Sequence, residues 1–364
     1  MTQMPTQSSF SNSNLHKIFR SLAIIIPLAI AGNIIYILIT SKPHILKDLI
    51  VVHFGYLLLA VFLALVPWFT HAARLLLWSQ AFKKGITPIQ AIKTAVVTDL
   101  GSGITPSSTG GGYFKLAFLI RYGFDPGEAT LLTFLGTIED ALFFAVTLPV
   151  AIILCHAWSN PMVNTATSNL VSHWPVVVVV ALILAVIYFV FIRKKNYSSF
   201  DKQESNLKRP VFVERIRLLI HKYENQFLSA LTFVVKNGKS TFGICTLLSG
   251  LGWCCRYGAI SALVLGLGLK ADFVLFFLLQ WVIFTTMILI PTPGAVGGAE
   301  VTFALVFTNI VPSAVLPILV GAWRFVTFYM LIAIGAIFMA ITGAGPTVSR
   351  INGKDQKIFK EVKA

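Results

Sequence analysis

The sequence has little charge for its length. Asp, Glu, Lys and Arg make up 12% of the 364 residues, whereas a soluble domain carries about 25%. Apolar residues, in contrast, make up 56% of the chain. This balance excludes an ordinary soluble domain and predicts an integral membrane protein with the lipid bilayer as its surroundings.

Acidic residues are the scarcer charged class. The chain has 14 Asp and Glu against 29 Lys and Arg, which gives a formal net charge of +15. Such an excess also occurs in nucleic-acid-binding proteins. Here, however, the basic residues lie in segments beside apolar runs, as the positive-inside bias of membrane proteins requires. We therefore expect no nucleic acid among its partners.

The sequence also lacks the motifs of common enzyme and metal sites. Its four cysteines form no Cys-x-x-Cys pair and its seven histidines are scattered. It has no P-loop and no evident combination of nucleophile and base. We predict a protein that is not an enzyme and that uses no metal or other cofactor.

Apolar runs divide the chain into membrane segments. A helix needs about 20 predominantly apolar residues to cross a bilayer. Six runs are long enough: 22–40, 50–69, 129–157, 176–192, 242–269 and 313–341. Shorter runs form two pairs around breaks rich in proline and glycine: 91–104 with 113–120, and 273–290 with 301–307. We interpret each pair as a re-entrant helical hairpin, since irregular backbone at membrane depth needs protein or a wet cavity around it.

The predicted fold is therefore an all-α polytopic membrane protein, with about six full spans and two re-entrant hairpins in an inverted repeat. Its parts are a tail over 1–20, a first repeat over 21–192 with its hairpin around 91–122, a basic loop over 193–239, a second repeat over 240–342 with its hairpin around 272–308, and a basic tail over 343–364. The distribution of Lys and Arg places both termini in the cytoplasm, and we expect a bacterial cytoplasmic membrane.

The basic loop over 193–239 contains one periodic stretch. Apolar residues recur there at three- and four-residue spacing between Ile216 and Val234, which predicts an amphipathic helix. This helix either lies on the inner membrane surface or links the two repeats.

The two breaks resemble each other. A shift of 187 positions superimposes their main residues: Pro106 on Pro293, Gly110 on Gly297 and Gly111 on Gly298, with Gly294 directly after Pro293. A shift of 185 positions places Glu139 on Arg324. The predicted number of crossings between the starts of the two repeats is odd, so the second repeat is inverted. The tips of the two hairpins should then meet near the middle of the membrane, as in secondary transporters.

These residues resemble a known family, the flippase-like transmembrane domain of the lysylphosphatidylglycerol synthetases in its stand-alone form. The resemblance covers roughly residues 15–345 and rests on Arg74, the break at 106–111, Glu139, the Pro-x-Pro-Gly-x-x-Gly-x-x-Glu motif at 291–300, and Arg324. It implies a membrane domain that moves lipid across the bilayer, without the separate domain that aminoacylates phosphatidylglycerol. One position departs from the family: Gly112, Tyr113 and Lys115 follow the glycine pair, where an acidic residue and an arginine are usual.

Ionisable residues in or beside apolar runs and breaks are the candidate substrate-binding residues: Arg74, Lys115, Glu139, Arg256, Glu300 and Arg324. A charge deep in a span costs at least about 2.5 kcal/mol on insertion scales, so it needs a partner, a cavity or a ligand. A guanidinium suits a phosphodiester, and the arginines either bind such an anion or form structural ion pairs. Glu300 either contacts substrate or caps the helix that begins there.

Three specific contacts are predicted among these charges. Because the repeat equates Glu139 with Arg324, the two side chains should face one central cavity within reach of each other. Neighbouring residues point about 100° apart on a helix, so we expect Glu139, and not Asp140, to face that cavity. Asp99 lies in a short apolar helix and is a candidate partner for Arg74.

The predicted function is flippase-like translocation of a membrane lipid between leaflets. The lipid is an anionic phospholipid or a polyprenyl-phosphate-linked lipid, whose tail stays in the bilayer while its head group passes a polar seam between the repeats. Two alternatives stay open, an intramembrane lipid-modifying enzyme and an accessory subunit of an envelope lipid or glycan synthase. The expected partners are the anionic lipid and the bilayer, with a homo-oligomer or a synthase partner left open.

Overall fold

The computed structural model describes residues 53–106, 108, 110–155 and 211–343, with the side chains of the helix that begins at 211 described from 222 onward. Within these ranges the regular elements are all helical. In chain order they are α1 (Phe54–Ala81), α2 (Pro88–Ile104), α3 (Gly110–Arg121), α4 (Pro126–Leu154), α5 (Val211–Asn237), α6 (Lys239–Gly266), α7 (Phe273–Met287), α8 (Gly298–Phe307), α9 (Leu316–Arg324), a π-helical turn (Phe325–Tyr329) and α10 (Met330–Thr342).

Four described helical segments are long and apolar enough to cross a membrane: α1, α4, α6 and the continuous segment Leu316–Thr342. They correspond to the predicted spans over 50–69, 129–157, 242–269 and 313–341, so the all-α polytopic class is confirmed. The predicted spans over 22–40 and 176–192 lie outside the described residues, as do both predicted tails apart from Gly343. Helix α1 extends well beyond its apolar run: it continues past residue 69 to Ala81, which places Arg74 inside it.

Helices α1 and α6 pack against each other more extensively than any other described pair. Gly252 makes this close approach possible, since a Cβ there would lie 2.6 Å from Thr70 Oγ1. The two helices carry Arg74 and Arg256 respectively. The pair therefore forms the frame on which two of the candidate residues are held.

Helices α2 and α3 form the first hairpin. The Thr105 hydroxyl accepts a hydrogen bond from the Gly110 N–H at 2.8 Å, which caps the start of α3. Gly111 lies so close to α2 that a Cβ there would be 2.7 Å from the Thr98 carbonyl oxygen. The glycines of this break therefore serve the close packing of the two helices, and the hydroxyl takes up one of the helix N-terminal N–H groups.

Helices α7 and α8 form the second hairpin. In the connecting segment Gly294 and Gly297 have φ angles of 60° and 86°, a region that glycine adopts with the least strain. A Cβ on Gly294 would also collide with the ring of Phe328. Glu300 Oε2 accepts a hydrogen bond from the Gly297 N–H at 2.8 Å, so the capping role considered for Glu300 is confirmed.

The tips of the two hairpins touch. The backbone at Pro106 pairs with the backbone at Pro293 in an isolated antiparallel bridge. The two prolines occupy equivalent positions in the breaks. The contact predicted between the hairpin tips is therefore present.

The amphipathic helix predicted within 193–239 is α5. Its Val234 is buried, and the rings of Phe233 and Phe82 lie 5.2 Å apart between centroids. The Gln226 side chain accepts a hydrogen bond from the Gly127 N–H at 3.4 Å, at the start of α4. The described part of α5 thus packs on the ends of α1 and α4, which favours the linking helix over one that lies free on a membrane surface.

The loop after α1 is tied to the start of α4 by Lys84. Its ammonium lies 2.8 Å from Glu128 and 3.3 Å from Asp125. Burial lowers the pKa of Lys84, but the hydrogen bonds and charges of Glu128 and Asp125 outweigh it, so the pKa is raised. A lysine whose pKa is raised on folding contributes stability that is fully present below its unfolded pKa. This contribution is lost only as the pH rises through the folded pKa, so the contact stabilises the fold throughout the neutral range.

The last helix ends on a buried lysine of the first hairpin. Lys93 Nζ donates to the carbonyl oxygens of Thr342 at 2.7 Å and Gly343 at 3.1 Å. A cation at a helix C-terminus satisfies its orphan carbonyls and complements the helix dipole. This contact joins α2 to the end of α10.

Lys93→Met is expected to lower the free energy of unfolding by about 1.5–3 kcal/mol, the usual contribution of a hydrogen bond to a charged group. Lys236→Met, on the exposed surface of α5, is the matched control and should be neutral. Thermal unfolding of the purified variants in detergent micelles measures the difference. Equal melting temperatures for the two variants would show that Lys93 does not stabilise the end of α10.

Candidate functional site

A cleft opens where the two hairpins meet the last helix, and we call it the hairpin cleft. Its cavity has a volume of about 100 Å³. Six of its lining residues define it: Trp68, Asp99, Ser108, Arg256, Gly294 and Arg324. The remaining walls are mainly apolar and aromatic, so the charges inside are poorly screened and interact strongly.

Arg256 is the cation of the cleft with donors to spare. Its Nη2 donates to Asp99 Oδ2 at 2.8 Å, and the same oxygen accepts from Trp68 Nε1 at 2.8 Å. No other described residue accepts a hydrogen bond from this guanidinium, and the side chain is 21% exposed. A guanidinium carries five N–H donors. Arg256 therefore retains donors for an anion that enters the cleft.

The prediction that Asp99 pairs with Arg74 is wrong. The carboxylate of Asp99 is bonded to Arg256 and Trp68 instead. The physical reason is that α2 turns this residue toward the hairpin cleft, while Arg74 finds its acidic partners on α4. Asp99 thus belongs to the cleft.

Arg324 is held by the second hairpin through two hydrogen bonds. Its Nε donates to Glu300 Oε1 at 2.8 Å and its Nη2 to the Gly294 carbonyl oxygen at 2.7 Å. The residue is only 1% exposed. Since Glu300 also caps α8 through Gly297, the arginine, the carboxylate and the glycine break form one connected network. The main role of Arg324 is therefore to fix the wall of the cleft that the second hairpin forms.

A π-helical turn follows Arg324 directly and shapes the same wall. The ring of Phe328 lies 4.8 Å from the Arg324 guanidinium carbon. Trp323 Nε1 donates to Gln280 Oε1 at 3.1 Å, which fixes the helix on α7. Thr327 and Phe328 line the cleft. Turns of this type recur at functional sites in helices, and this one turns the aromatic face of Phe328 toward Arg324.

A second charged group lies outside the cleft, and we call it the Arg74 cluster. Arg74 Nε donates to Glu139 Oε2 at 2.8 Å, Nη1 to Asp140 Oδ1 at 2.9 Å and Nη2 to the Gly136 carbonyl oxygen at 2.9 Å. Trp78 Nε1 donates to the other oxygen of Glu139 at 2.8 Å. Glu139, and not Asp140, was expected to face the central cavity, but neither residue lines the hairpin cleft, because the guanidinium fork of Arg74 reaches both neighbouring carboxylates of α4.

The predicted contact between Glu139 and Arg324 is also wrong. Both oxygens of Glu139 are taken by α1, through Arg74 and Trp78. Arg324 is taken by Glu300 and Gly294. Equivalence in a repeat relates two positions by symmetry, but they touch only if both lie close to the symmetry axis. Here each finds its partner elsewhere.

Lys115 is a further member of the Arg74 cluster, and its ammonium has few hydrogen-bond partners. It is 8% exposed, and its Nζ donates to the Leu132 carbonyl oxygen at 3.3 Å. A Cβ on Gly136 would be 3.1 Å from this Nζ and 3.5 Å from Arg74 Nη2. The lysine and the arginine therefore converge on the glycine of α4, and no described carboxylate forms an ion pair with the lysine.

The structure thus divides the predicted site residues into two groups. Arg256, Arg324 and Gly294 line the cleft, with Glu300 behind Arg324, whereas Arg74, Lys115 and Glu139 form the separate cluster. Sequence reasoning missed Trp68, Trp78 and Ser249, the last of which donates to Asp140. Asp99 could be noticed in the sequence because a carboxylate is unusual in an apolar helix. Tryptophan and serine residues are common in such helices and therefore gave no comparable signal. Within the described ranges no three His, Cys, Asp or Glu side chains converge as metal ligands would.

Comparison with known proteins agrees with this architecture. A family model described as the lysylphosphatidylglycerol synthase TM region matches residues 24–335. A protein described as a UPF0104 membrane protein of Archaeoglobus fulgidus is 26% identical over 288 residues, which cover 77% of this chain and 85% of the relative. The matched region contains both hairpins, the hairpin cleft and the Arg74 cluster.

Proposed function

Since the chain belongs to the family of the lysylphosphatidylglycerol synthase transmembrane region, we propose that it is a flippase-like translocase, which moves an anionic phospholipid or a polyprenyl-phosphate-linked lipid between leaflets. One observation carries the proposal: Arg256 retains free N–H donors in a cleft where the tips of two helical hairpins meet. A phosphodiester is the anion that such a guanidinium binds best in two-pronged geometry.

The mechanism follows from the unequal polarity of the cleft. The lipid phosphate leaves water only if new donors replace its hydration, and the Arg256 guanidinium and the Ser108 hydroxyl are such donors. The apolar and aromatic walls match the start of the acyl chains, which remain in the bilayer. Movement of the head group past the hairpin tips then needs no wide polar channel.

The arrangement of the membrane segments belongs to the same proposal. The two hairpins with their flanking helices are inverted repeats, and rocking of one repeat against the other exposes the cleft to each leaflet in turn. The positive-inside bias places both termini in the cytoplasm of a bacterial cell. Such movement involves no bond making or breaking, so the protein acts as a transporter and not as an enzyme.

The test uses proteoliposomes of phosphatidylethanolamine and phosphatidylglycerol with a trace of NBD-labelled phosphatidylglycerol. Dithionite bleaches only the probe that reaches the outer leaflet. In proteoliposomes with the wild-type protein, dithionite should bleach a larger fraction of the NBD fluorescence than the fraction of probe that starts in the outer leaflet. Arg256→Gln should slow this by about tenfold to a hundredfold, because hydrogen bonds to charged groups contribute about 1.5–3 kcal/mol.

Two further variants control the experiment. Arg256→Lys keeps the charge but loses the planar fork, so an intermediate rate is expected. Lys239→Gln removes an exposed cation from the same helix and should leave the rate unchanged. Wild-type rates for folded Arg256→Gln would contradict the assignment of this arginine. A chemically modified lipid formed by the purified protein would favour an enzyme instead.

A further inference from the structure

The Arg74 cluster contains a buried lysine that the proposed lipid pathway does not use. Lys115 does not line the hairpin cleft. Its ammonium contacts the Leu132 carbonyl oxygen at 3.3 Å, near the upper limit for a hydrogen bond. A buried cation with so few partners is costly. Because its contacts do not offset this cost, Lys115 is a candidate for a role in which its charge changes.

Lys93 provides a contrast within the same hairpin. It is as buried as Lys115, but its ammonium donates to two carbonyl oxygens at the C-terminus of the last helix. Those two carbonyl oxygens give the ammonium of Lys93 well-placed acceptors. The weaker environment of Lys115 is therefore specific to its position and is not a general property of lysines in this hairpin.

The groups around Lys115 come from three neighbouring helices. Arg74 and His71 approach from α1, Glu139 and Asp140 from α4, and Cys245 from α6. Arg74 binds both carboxylates directly and thereby keeps them from the lysine. With the lysine protonated, the formal charges of Arg74, Lys115, Glu139 and Asp140 sum to zero. Loss of one proton leaves the cluster with a net charge of −1.

We infer that Lys115 is a proton-binding site that couples lipid movement to a proton gradient. A proton from one aqueous phase adds to the free amine of Lys115, passes with the moving repeat, and leaves to the other phase, so that one charge crosses per cycle. Asp140 is the more exposed carboxylate of the cluster, with a side chain 31% exposed against 1% for Glu139, so the cluster is most accessible on the side of Asp140. The coupling rests on the proposed lipid movement, whereas proton binding by the cluster does not.

The first measurement is independent of any lipid substrate. Proteoliposomes adsorbed on a solid-supported membrane receive a rapid drop in pH, and the displaced charge is recorded as a transient current. The wild-type protein should give a current above that of empty liposomes. Lys115→Met should lose it, while Lys93→Met, which removes an equally buried lysine, should keep it.

The second measurement tests coupling. NBD-phosphatidylglycerol translocation is compared with and without a pH gradient across the proteoliposome membrane. The wild type should be accelerated by a gradient of one direction, and both Lys115→Met and Lys115→Arg should lose that response. The arginine retains the charge but does not release its proton.

The outcomes separate the two proposals. A proton current without any NBD-lipid movement would retain the proton site and reject phosphatidylglycerol as the transported lipid. Lipid movement that ignores the gradient would reject the coupling. A current that persists in folded Lys115→Met would overturn the site itself.

Discussion

Replacing Arg324 with Met is expected to lower the free energy of unfolding by about 3–5 kcal/mol, the usual cost of removing one partner from a buried ion pair. Arg324 is 1% exposed and bonds both Glu300 and the Gly294 carbonyl oxygen. Its removal leaves a carboxylate and a carbonyl without their donor inside the protein. Titration with SDS in mixed micelles, followed by tryptophan fluorescence, measures the loss.

A double-mutant cycle identifies the partner of Arg324. Glu300→Gln is the appropriate second change, since the amide oxygen still caps the Gly297 N–H while the charge is gone. Residues in contact show a coupling energy of about 0.5–3 kcal/mol, whereas unconnected residues add within about 0.5 kcal/mol. We expect coupling between the Arg324 and Glu300 changes, and additivity between the Arg324→Met and Glu139→Gln changes. The reverse result would mean that the Glu139–Arg324 pair exists after all.

The membrane segments and the hairpins were predictable from the sequence because their signals are local. An apolar run of sufficient length, or a break of proline and glycine between shorter runs, identifies each element without reference to the others. Even the contact between Pro106 and Pro293 followed from the similarity of the two breaks. The ends of the helices were predicted less accurately. Helix α1, for example, continues for several turns past its apolar run and so includes Arg74.

The ion pairs were not predictable in the same way. Which side chains meet depends on how each helix is rotated and which neighbour it packs against, and neither quantity is local. The repeat suggested Glu139 for Arg324, yet the closer carboxylate was Glu300, in the first turn after the break. The length of the guanidinium fork also matters, since Arg74 reaches two adjacent residues that point in different directions on α4.

The three charged groups connect different helices. The Arg324 network lies within the second hairpin and the last helix, whereas the Arg74 cluster joins α1 to α4 and reaches α6 through Ser249. The Asp99–Arg256 pair joins the first hairpin to α6. Of these, the Asp99–Arg256 pair is the one that connects the two proposed repeats inside the cleft. In the proposed function, an anion bound to the remaining donors of Arg256 weakens the attraction of this guanidinium for Asp99, so substrate binding and loosening of this connection are linked.

The same reasoning gives the largest expected effect outside the cleft. Arg74→Gln should destabilise the protein by about 3–5 kcal/mol, because Glu139 is 1% exposed and Asp140 is held by the same guanidinium.

Neutralising the acidic partners should reverse most of this loss. The triple variant Arg74→Gln, Glu139→Gln, Asp140→Asn leaves no uncompensated carboxylate, so its unfolding midpoint in SDS should lie well above that of Arg74→Gln alone. The matched control combines Arg74→Gln with Glu300→Gln, which removes a carboxylate from the other network and should give no recovery. If the triple variant is no more stable than the single one, Arg74 contributes through its packing against α4 and α6, and the charge balance of the cluster is not what holds these helices together.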